Sequence, residues 1–291
     1  MTQIDETQKR LEISLRDQDL PFIGTEETFS THELLELNSI NLQRSKFSWN
    51  SRLIYSRNEN RIEKLTVNPF TAGYTNLVIE GQPVGVHFMP AFMRDEAGNI
   101  MEDSIGPRLE TRTGASCAQP QFCLPTSASR IVGNPWPDWT GSLFNEFKIG
   151  PNWSASFLLD GSFGAELWNQ TRRIQDIFAA GPLYDQVLRG EVTLAYRTRM
   201  QSIWESYLED ASYIKLRDIT VRYGTNASWV RHVGASRAEF ELVARNLKTW
   251  TDYSGYDPEI NMFGLSTVER GTDFAVYPNA RTFGIGVRLN Y

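Results

Sequence analysis

The 291-residue sequence predicts an all-β fold, namely a segment of an antiparallel transmembrane β-barrel. Three observations support this prediction. Apolar and polar residues alternate with a period of two in several separate stretches, short and long connections join these stretches in turn, and the stretches are few for the length of the chain. Hydrophobic residues make up 41% of the chain and charged residues 22%, which excludes wholesale disorder.

The last nine residues show the clearest alternation. The apolar positions are Phe283, Ile285, Val287, Leu289 and Tyr291, and the residues between them are glycine or polar. Because successive side chains of a strand point to opposite faces, one face is wholly apolar and the other is hydrophilic. Such a strand separates hydrocarbon from water, as the strands of outer-membrane barrels do.

The same period recurs upstream, so that seven strands are predicted. The six earlier ones fall within residues 35–42, 47–55, 139–148, 153–163, 213–223 and 238–244, and residues 11–16 could add an eighth. In residues 213–223 the apolar phase changes between Leu216 and Ile219. A β-bulge near Arg217 and Asp218 would restore a single apolar face.

The connections predict which end of the barrel carries the loops. Residues 44–46 and 149–152 are hairpin turns, whereas residues 58–138, 164–210 and 248–279 are long insertions. Outer-membrane barrels have short periplasmic turns and long extracellular loops. Within the insertions we expect strand extensions at residues 74–79 and 84–92, short helices at 165–180 and 198–208, and irregular structure at 102–137.

The strand count predicts a piece of a larger barrel. Eight strands in 291 residues give about 36 residues per strand, whereas a small barrel needs roughly 9 to 11 residues per strand plus turns. A plugged barrel of about 22 strands at the same ratio has about 800 residues. We therefore expect this chain to correspond to the last third of a longer protein.

Charge and motifs exclude several classes of function. A net charge of −6 without basic runs argues against a nucleic-acid-binding surface. The histidines, His32, His87 and His232, lack metal-ligand spacing, and no nucleophile elbow, phosphate loop or dinucleotide fingerprint is present. We predict no catalytic residue, no metal, no cofactor and no enzymatic activity. Cys117 and Cys123 leave a disulfide open.

The N-terminus predicts no secretion signal. Residues 1–10 are polar and lack the apolar segment of a signal peptide. Either the product stays in the cytoplasm, or Met1 is not the natural beginning of the protein.

Several segments together resemble the C-terminal part of SusC/RagA-type TonB-linked outer-membrane receptors. They are residues 207–223 (YLEDASYIKLRDITVRY), 244–251 (ARNLKTWT), 253–259 (YSGYDPE) and 277–291, preceded by 133–138 (GNPWPD) and 49–61. In the family's order they cover most of residues 32–291. Residues 1–31 are left as an uncertain strand and loop, and the family's plug domain and TonB box are expected to be absent.

The resemblance implies a transporter fragment in the cell outer membrane. Members of the family import glycans or peptides, pair with a SusD-like surface lipoprotein and receive energy from the TonB–ExbB–ExbD complex. Phe283, Ile285, Val287, Leu289 and Tyr291 would then form the terminal strand that the barrel-assembly machinery recognises. The alternative is a self-contained small β-barrel or a soluble β-rich carbohydrate-binding protein.

Three groups of side chains are candidates for function. Sugar rings could stack on the tryptophans of the loops, or these side chains could pack the loops and interfacial girdles: Trp136, Trp139, Trp168, Trp204 and Trp250, of which Trp168, Trp204 and Trp250 are the ligand-binding candidates. Asp257, Pro258 and Glu259, with Asp252 and Glu269 nearby, could bind calcium, although the resemblance favours a structural turn. The third group lies on the hydrophilic face, where we expect ion pairs along the lumen rather than a substrate track: Arg52, Lys215, Arg217, Arg222, Arg245 and Arg288 with Asp160, Glu239 and Glu241.

Overall fold

A computed structural model describes residues 10–17, 26–110 and 129–291 of the chain. Cys117 and Cys123 lie outside these residues. The strands, numbered in chain order, are β1 (Arg10–Asp17), β2 (Glu26–Arg44), β3 (Phe47–Leu65), β4 (Phe70–Ala72), β5 (Asn76–Val78), β6 (Val86–Pro90), β7 (Glu102–Asp103), β8 (Gly106–Pro107), β9 (Ser129–Gly133), β10 (Trp139–Ile149), β11 (Trp153–Phe163), β12 (Glu166–Asn169), β13 (Leu208–Asp210), β14 (Tyr213–Thr225), β15 (Arg237–Thr251), β16 (Thr272–Asp273) and β17 (Thr282–Asn290).

Eight of these strands form one antiparallel sheet in the order β1-β2-β3-β10-β11-β14-β15-β17. The seven predicted strands and the eighth at residues 11–16 are therefore confirmed, as are the turns before Phe47 and Trp153. In the described part of the chain, β1 and β17 do not pair with each other. Within these residues the sheet is therefore open at both edges.

One face of the sheet is apolar over most of its width. Tyr55, Leu143 and Leu159 belong to this face on β3, β10 and β11, and it continues through Val221 on β14 and Ile285 on β17. The apolar residues of β17 are the most open, and Ile285 is 83% exposed. Contiguous exposed apolar surface of this kind marks a membrane or protein contact.

Two rows of aromatic rings border the apolar face. At the short-turn end, Trp49 stacks on Phe147 at 5.9 Å, and Trp153 lies 4.7 Å from Tyr223. At the other end, Trp139 stacks on Phe163 at 4.1 Å. The eleven residues of β11 span about 33 Å, or about 25 Å along the normal at a tilt near 40°. This height matches the apolar band of outer-membrane barrels.

The predicted bulge lies at Arg217. Leu158 opposes Asp218 while Leu159 opposes Leu216, so Arg217 has no partner on β11. On the other side, the register with β15 skips Asn246 and Leu247, and Asn246 has a φ of 53°. Asparagine tolerates this left-handed conformation better than most residues. The extra residue keeps Leu216 and Ile219 on the apolar face and leaves Arg217 on the hydrophilic side.

The long connections fold into a separate body, which we call the loop assembly. It contains the sheets β4-β5-β6-β9, β13-β12-β16 and β7-β8. Its helices are α1 (Gln170–Ile177), α2 (Pro182–Leu188), α3 (Leu194–Ser202) and a 3₁₀ turn at Trp204–Tyr207. A further helix, α4 (Ser228–His232), lies at the short-turn end between β14 and β15.

Three expectations for the loops need correction. Residues 102–137, expected to be irregular, contain β7, β8 and β9 in their described part. Residues 74–79 and 84–92 do contain β5 and β6, but these strands belong to their own small sheet and do not extend the barrel strands. The helix predicted at 165–180 is limited to α1, and the one predicted at 198–208 is replaced by α3, which begins earlier at Leu194, and the 3₁₀ turn. The flanking segments Glu166–Asn169 and Leu208–Asp210 pair with each other as strands. Side-chain caps set the helix starts: Asn169 accepts a hydrogen bond from the Arg172 amide, and Thr193 accepts one from Tyr196.

Candidate functional site: the loop assembly and its anchor

The loop assembly lies at the end of the sheet opposite the short turns. The connections between β3 and β10, between β11 and β14, and between β15 and β17 all reach this end. It also contains most of the buried apolar clusters of the described residues, including Met89, Trp168 and Tyr207 in one group and Ile62, Val78 and Val84 in another. The loops thus have a core of their own, to which Ile62 at the end of β3 contributes.

Trp168 is at the centre of that core. It is fully buried, stacks on Trp204 with ring centroids 4.9 Å apart, and lies 6.0 Å from Tyr74. The guanidinium of Arg173 lies over the Trp204 ring at 4.7 Å. Of the two readings left open by the sequence, the structure therefore places Trp168 and Trp204 in loop packing, where a sugar has no access to the Trp168 face.

Trp250 is in a different environment. It opposes Ile214 across the β14–β15 ladder and is 49% exposed, on the side where Leu216 and Lys248 also oppose each other. This is the apolar face of the sheet, and Trp250 lies at its loop end. An indole in this position suits the interfacial girdle, where an amphipathic ring prefers the headgroup layer.

A charged cluster anchors the loop after β15 to the hydrophilic face of β14. Lys215, which is only 2% exposed, places its Nζ 2.6 Å from Asp257 Oδ1 and also contacts Glu259. Arg217 donates to both oxygens of Glu259 and to Asp160, and Tyr213 Oη donates to Glu259 Oε1 at 2.6 Å. We call these residues the anchor cluster.

The second side of the loop closes the same cluster. The Asn279 amide N–H donates to Asp257 Oδ2 at 3.0 Å, and its side chain donates to Glu259 Oε2 at 3.1 Å. Both ends of the loop are thereby held by the same two carboxylates. Asp257 and Glu259 act as a structural turn bonded to cations, which is the reading that the resemblance favoured over calcium. Across residues 10–17, 26–110 and 129–291, no set of three or more acidic, histidine or cysteine side chains is grouped to hold a metal ion.

Glu259 is strongly biased towards its charged form. Burial alone would raise the pKa of this carboxyl group, but hydrogen bonds from Arg217, Lys215 and Tyr213 outweigh it and lower the pKa to about 2. The sequence placed Lys215 and Arg217 on the hydrophilic face but missed their pairing with Asp257 and Glu259. No local sequence pattern predicts contacts between residues more than 40 positions apart.

The remaining charges of the hydrophilic face form the predicted ion pairs. Arg222 pairs with Glu241, Arg245 with Asp218 at 3.2 Å, and Arg52 with Glu36 at 2.9 Å. Arg288 is 4.0 Å from Glu239. Most of these side chains are half exposed, so each pair contributes little free energy by itself.

His87 is a buried polar group inside the loop assembly. Its Nε2 lies 3.2 Å from the Glu166 carbonyl oxygen, and its Nδ1 lies 3.0 Å from Thr75 Oγ1. Because a carbonyl can only accept, Nε2 carries the proton and Nδ1 accepts from the threonine hydroxyl. Burial lowers the pKa of His87 to about 4, against the opposing effect of the Glu166 carbonyl. The ring is therefore neutral at physiological pH.

Comparison with known proteins identifies relatives of this chain. TonB-dependent receptor P3 of Formosa agariphila is 25% identical over 279 residues, which cover 88% of this chain and 28% of the receptor. TonB-dependent receptor P26 of the same organism is 24% identical over 289 residues, with the same two coverages. The chain thus spans about 28% of the length of these curated relatives. No family model matches the chain.

Solved structures show the same fold. The RagAB peptide importer in its open-open state has a TM-score of 0.67 at 17% identity, covering 96% of this chain and 31% of that chain. A structure of the RagAB peptide transporter has a TM-score of 0.64 at 19% identity, covering 94% and 32%. The fold is therefore that of the barrel part of a TonB-dependent receptor.

These relatives confirm the resemblance to SusC/RagA-type receptors. They are named as receptors, an importer and a transporter, in agreement with the prediction that the chain is not an enzyme. No helix in the described part of the chain has the length and apolar composition needed to cross a membrane.

Proposed function

We propose that this chain forms part of the wall and the extracellular loops of an outer-membrane TonB-dependent importer of large nutrients. The observation that carries the proposal is the two-faced sheet. Its apolar face, bordered by two aromatic rows, suits hydrocarbon, while the opposite face is covered by ion pairs and suits a water-filled lumen. Residues 32–291 would be the C-terminal portion of the barrel.

The topology also predicts the orientation of the sheet in the outer membrane. Short turns on the periplasmic side and long loops outside are the usual arrangement in outer-membrane barrels. The turn at Gly150 should therefore face the periplasm, and the loop assembly should face the medium.

Epitope insertion tests this arrangement. One tag is placed after Gly190, in the exposed turn between α2 and α3, and a matched tag after Gly150, between β10 and β11. Antibody should label only the first tag on intact cells and both tags after permeabilisation of the outer membrane. A chain that fractionates as soluble protein, or tags that are labelled equally on intact cells, would contradict the proposal.

The finer assignments rest on the relatives. Because RagAB is a peptide importer and the two Formosa proteins are TonB-dependent receptors, we infer a glycan or peptide substrate, a SusD-like surface lipoprotein as lid, and energy from TonB–ExbB–ExbD. Copurification of a surface lipoprotein with the tagged protein tests the partner. Recovery of the protein without any lipoprotein would argue against it.

The last strand supports a further assignment within this function. The exposed apolar face of β17, at the edge of the sheet, is formed by Phe283, Ile285, Val287 and Leu289, and the exposed Tyr291 follows directly after the strand. We infer that the barrel-assembly machinery reads this strand. Changing Phe283 and Tyr291 to asparagine should lower the outer-membrane level of the protein. The control Arg288→Gln, on the opposite face, should leave the outer-membrane level unchanged. Equal outer-membrane levels for all variants would contradict the assignment.

A further inference from the structure

The helix α4 lies against the apolar face of the sheet, at the short-turn end. Val230 is fully buried and packs with Ala235 and Ala238. Ala238 opposes Leu289 across the β15–β17 ladder, and Leu289 belongs to the apolar face of β17. In the orientation proposed for the sheet, α4 therefore lies on the lipid side of the wall, at the level of the periplasmic leaflet.

The position of α4 is fixed by the turn that ends it. The Ala235 N–H donates to the Val230 carbonyl oxygen at 3.2 Å, and the Gly234 N–H donates to the Arg231 carbonyl oxygen at 3.1 Å. Gly234 has a φ of 81°. Together with the contact between Val230 and Ala235, these hydrogen bonds form a Schellman motif, in which glycine takes the left-handed conformation. The helix thus presents a defined surface although it has only five residues.

The two sides of α4 differ in polarity. At about 100° per residue, one side is apolar and carries Trp229, Val230 and Val233, whereas the other side carries Arg231 and His232. Trp229 is 48% exposed and Val233 is 54% exposed. Amphipathic helices of this kind lie in the plane of a membrane interface, with the apolar side towards the acyl chains and the basic side towards the headgroups.

Trp229 extends the aromatic row at the short-turn end. Its ring centroid is 6.2 Å from that of Phe240, and Phe240 opposes Tyr223, which lies 4.7 Å from Trp153. The row therefore runs from β11 across β14 and β15 to α4. Because such rows mark the headgroup layer of the membrane, Arg231, two positions after Trp229, lies close to the level of the lipid phosphates.

The short connections between the strands carry an excess of positive charge. They contain three basic side chains and no carboxylate, although the whole chain has a net charge of −6. These side chains are Arg44, Lys46 and Arg231, in the connections 44–46, 149–152 and 226–236. A charge distribution of this kind attracts anionic lipid headgroups to the end of the molecule that carries it.

Arg231 is available to such a headgroup. Its side chain is exposed. The nearest acidic residues along the chain, Glu239 and Glu241, lie on the opposite face of the sheet and pair with Arg237 and Arg222. Among the residues that the structure describes, no carboxylate forms an ion pair with Arg231.

We propose that α4 is a binding site for an anionic glycerophospholipid of the periplasmic leaflet. The phosphodiester group of the lipid accepts hydrogen bonds from the Arg231 guanidinium, whose planar array of donors fits two phosphate oxygens. The acyl chains lie along Trp229 and Val233. The proposal rests on the proposed function, because only a chain in the outer membrane meets this leaflet, and it concerns the lipid partner of the wall rather than the imported nutrient.

Native mass spectrometry measures the lipids bound to the protein. The protein is extracted from outer membranes in dodecyl maltoside, with any chain that copurifies, and titrated with dioleoyl phosphatidylglycerol or dioleoyl phosphatidylcholine. The anionic lipid should bind more tightly. Arg231→Gln should weaken its binding about fivefold, the effect of losing one basic side chain near a headgroup, and Arg231→Lys should weaken it no more than about twofold because the charge is kept.

A matched control separates this site from a general effect of charge. Arg288 lies at the same end of the sheet but on the hydrophilic face, 4.0 Å from Glu239. Arg288→Gln should bind phosphatidylglycerol as the unmodified protein does. Trp229→Ala should weaken the binding of both lipids alike, because the acyl chains are the same. Inorganic phosphate in excess over the lipid should not displace it, because phosphate lacks the acyl chains.

The lipid site is overturned by any of four results. These are equal binding of the two lipids, normal binding of phosphatidylglycerol by Arg231→Gln, equal weakening by Arg288→Gln, and displacement of the lipid by inorganic phosphate. Circular dichroism of each variant checks that the β-structure is unchanged. Protein that is present in the outer membrane but gives one of these results contradicts the lipid site alone, whereas protein absent from that membrane contradicts the proposed function as well.

Discussion

The sheet and the loop assembly are stabilised in different ways. In the sheet, the apolar side chains of β17 and the middle of β15 stay largely exposed, and Leu242 is 56% open. In the loop assembly, Trp168, His87 and Asn76 are fully buried. The sheet therefore depends on an apolar environment supplied from outside, whereas the loops depend on internal packing and on hydrogen bonds between buried polar groups.

This difference predicts where substitutions do damage. A polar side chain on the hydrophilic face of the sheet can exchange its partner for water at small cost. A side chain in the loop core or the anchor cluster cannot, because its removal leaves a cavity or an unpaired buried charge. Four predictions test the contrast, beginning with the largest effect.

Trp168→Ala should have the largest effect. Deleting a fully buried indole should cost the loop assembly roughly 3–5 kcal/mol, since the ring contacts of Trp204 and Tyr74 are lost and a cavity remains. Hydrogen exchange should accelerate in α1 and β12 while the β10–β11 hairpin stays protected. Trp250→Ala, which removes an indole from the apolar face of the sheet, should leave exchange in the loops unchanged. Equal effects of the two variants would contradict separate stabilisation.

Lys215→Met should have the next largest effect. Removing the ammonium leaves Asp257 without its ion-pair partner in a buried site, at a cost of about 3 kcal/mol, while Arg217 still holds Glu259. Limited proteolysis should then cut within residues 252–281 faster than in the unmodified protein. The comparison variant Arg222→Met breaks a half-exposed pair with Glu241 and should cost less than about 1 kcal/mol. If both variants resist proteolysis, the anchor cluster does not hold the loop.

Acidification should loosen the loops before it affects the sheet. The pKa of His87 is about 4 in the folded protein, against roughly 6.5 in an unfolded chain. The unfolded state therefore binds a proton first as the pH falls. Stability from this site is fully present above pH 6.5 and is lost between pH 6.5 and 4, by up to about 3 kcal/mol. The Glu259 contribution follows only between about pH 4.5 and 2.

The measurement is hydrogen exchange in β6 and β12 between pH 7 and pH 4, corrected for the intrinsic pH dependence of exchange. His87→Gln keeps a side chain that can hydrogen-bond but cannot be protonated. This variant should abolish the loss of protection in that window. A loss that persists in the variant would place the titrating group elsewhere.

The same contrast explains what the sequence could predict. The alternation in residues 283–291 predicts a strand without further information, because apolar side chains repeat every two residues in a half-buried strand. The phase change between Leu216 and Ile219 also predicted the position of the bulge. The pairing of such strands in the sheet follows from their order along the chain. Hence the order and count of strands in the sheet, and the clustering of charges on its hydrophilic face, were predictable, although several of the ion-pair partners were not.

The loop assembly did not follow from such local rules. Trp168 and Trp250 both have polar neighbours in the sequence, yet Trp168 is buried and Trp250 is half exposed. Their difference arises from β12 pairing in parallel with Thr272–Asp273, about a hundred residues away. The partners of Lys215 depend on similar long-range contacts, and neither periodicity nor turn residues encode them.

The smallest predicted effect concerns a polar group on the apolar face. Asn145, which is 3% exposed, accepts hydrogen bonds from Trp49 Nε1 at 2.8 Å and Ser51 Oγ at 2.6 Å. Asn145→Leu should leave two donors unsatisfied and lower the free energy of unfolding in a bilayer by about 1 kcal/mol. Removing the donors as well, with Ser51→Ala and Trp49→Phe, should restore most of this loss, because neither donor is then left unpaired and the Asn41 side chain, which donates to Ser51 Oγ, is exposed. Thermal unfolding followed by circular dichroism in lipid measures both variants. A triple variant less stable than Asn145→Leu would show that the three side chains contribute packing beyond their hydrogen bonds, and that this part of the sheet is stabilised internally, as the loops are.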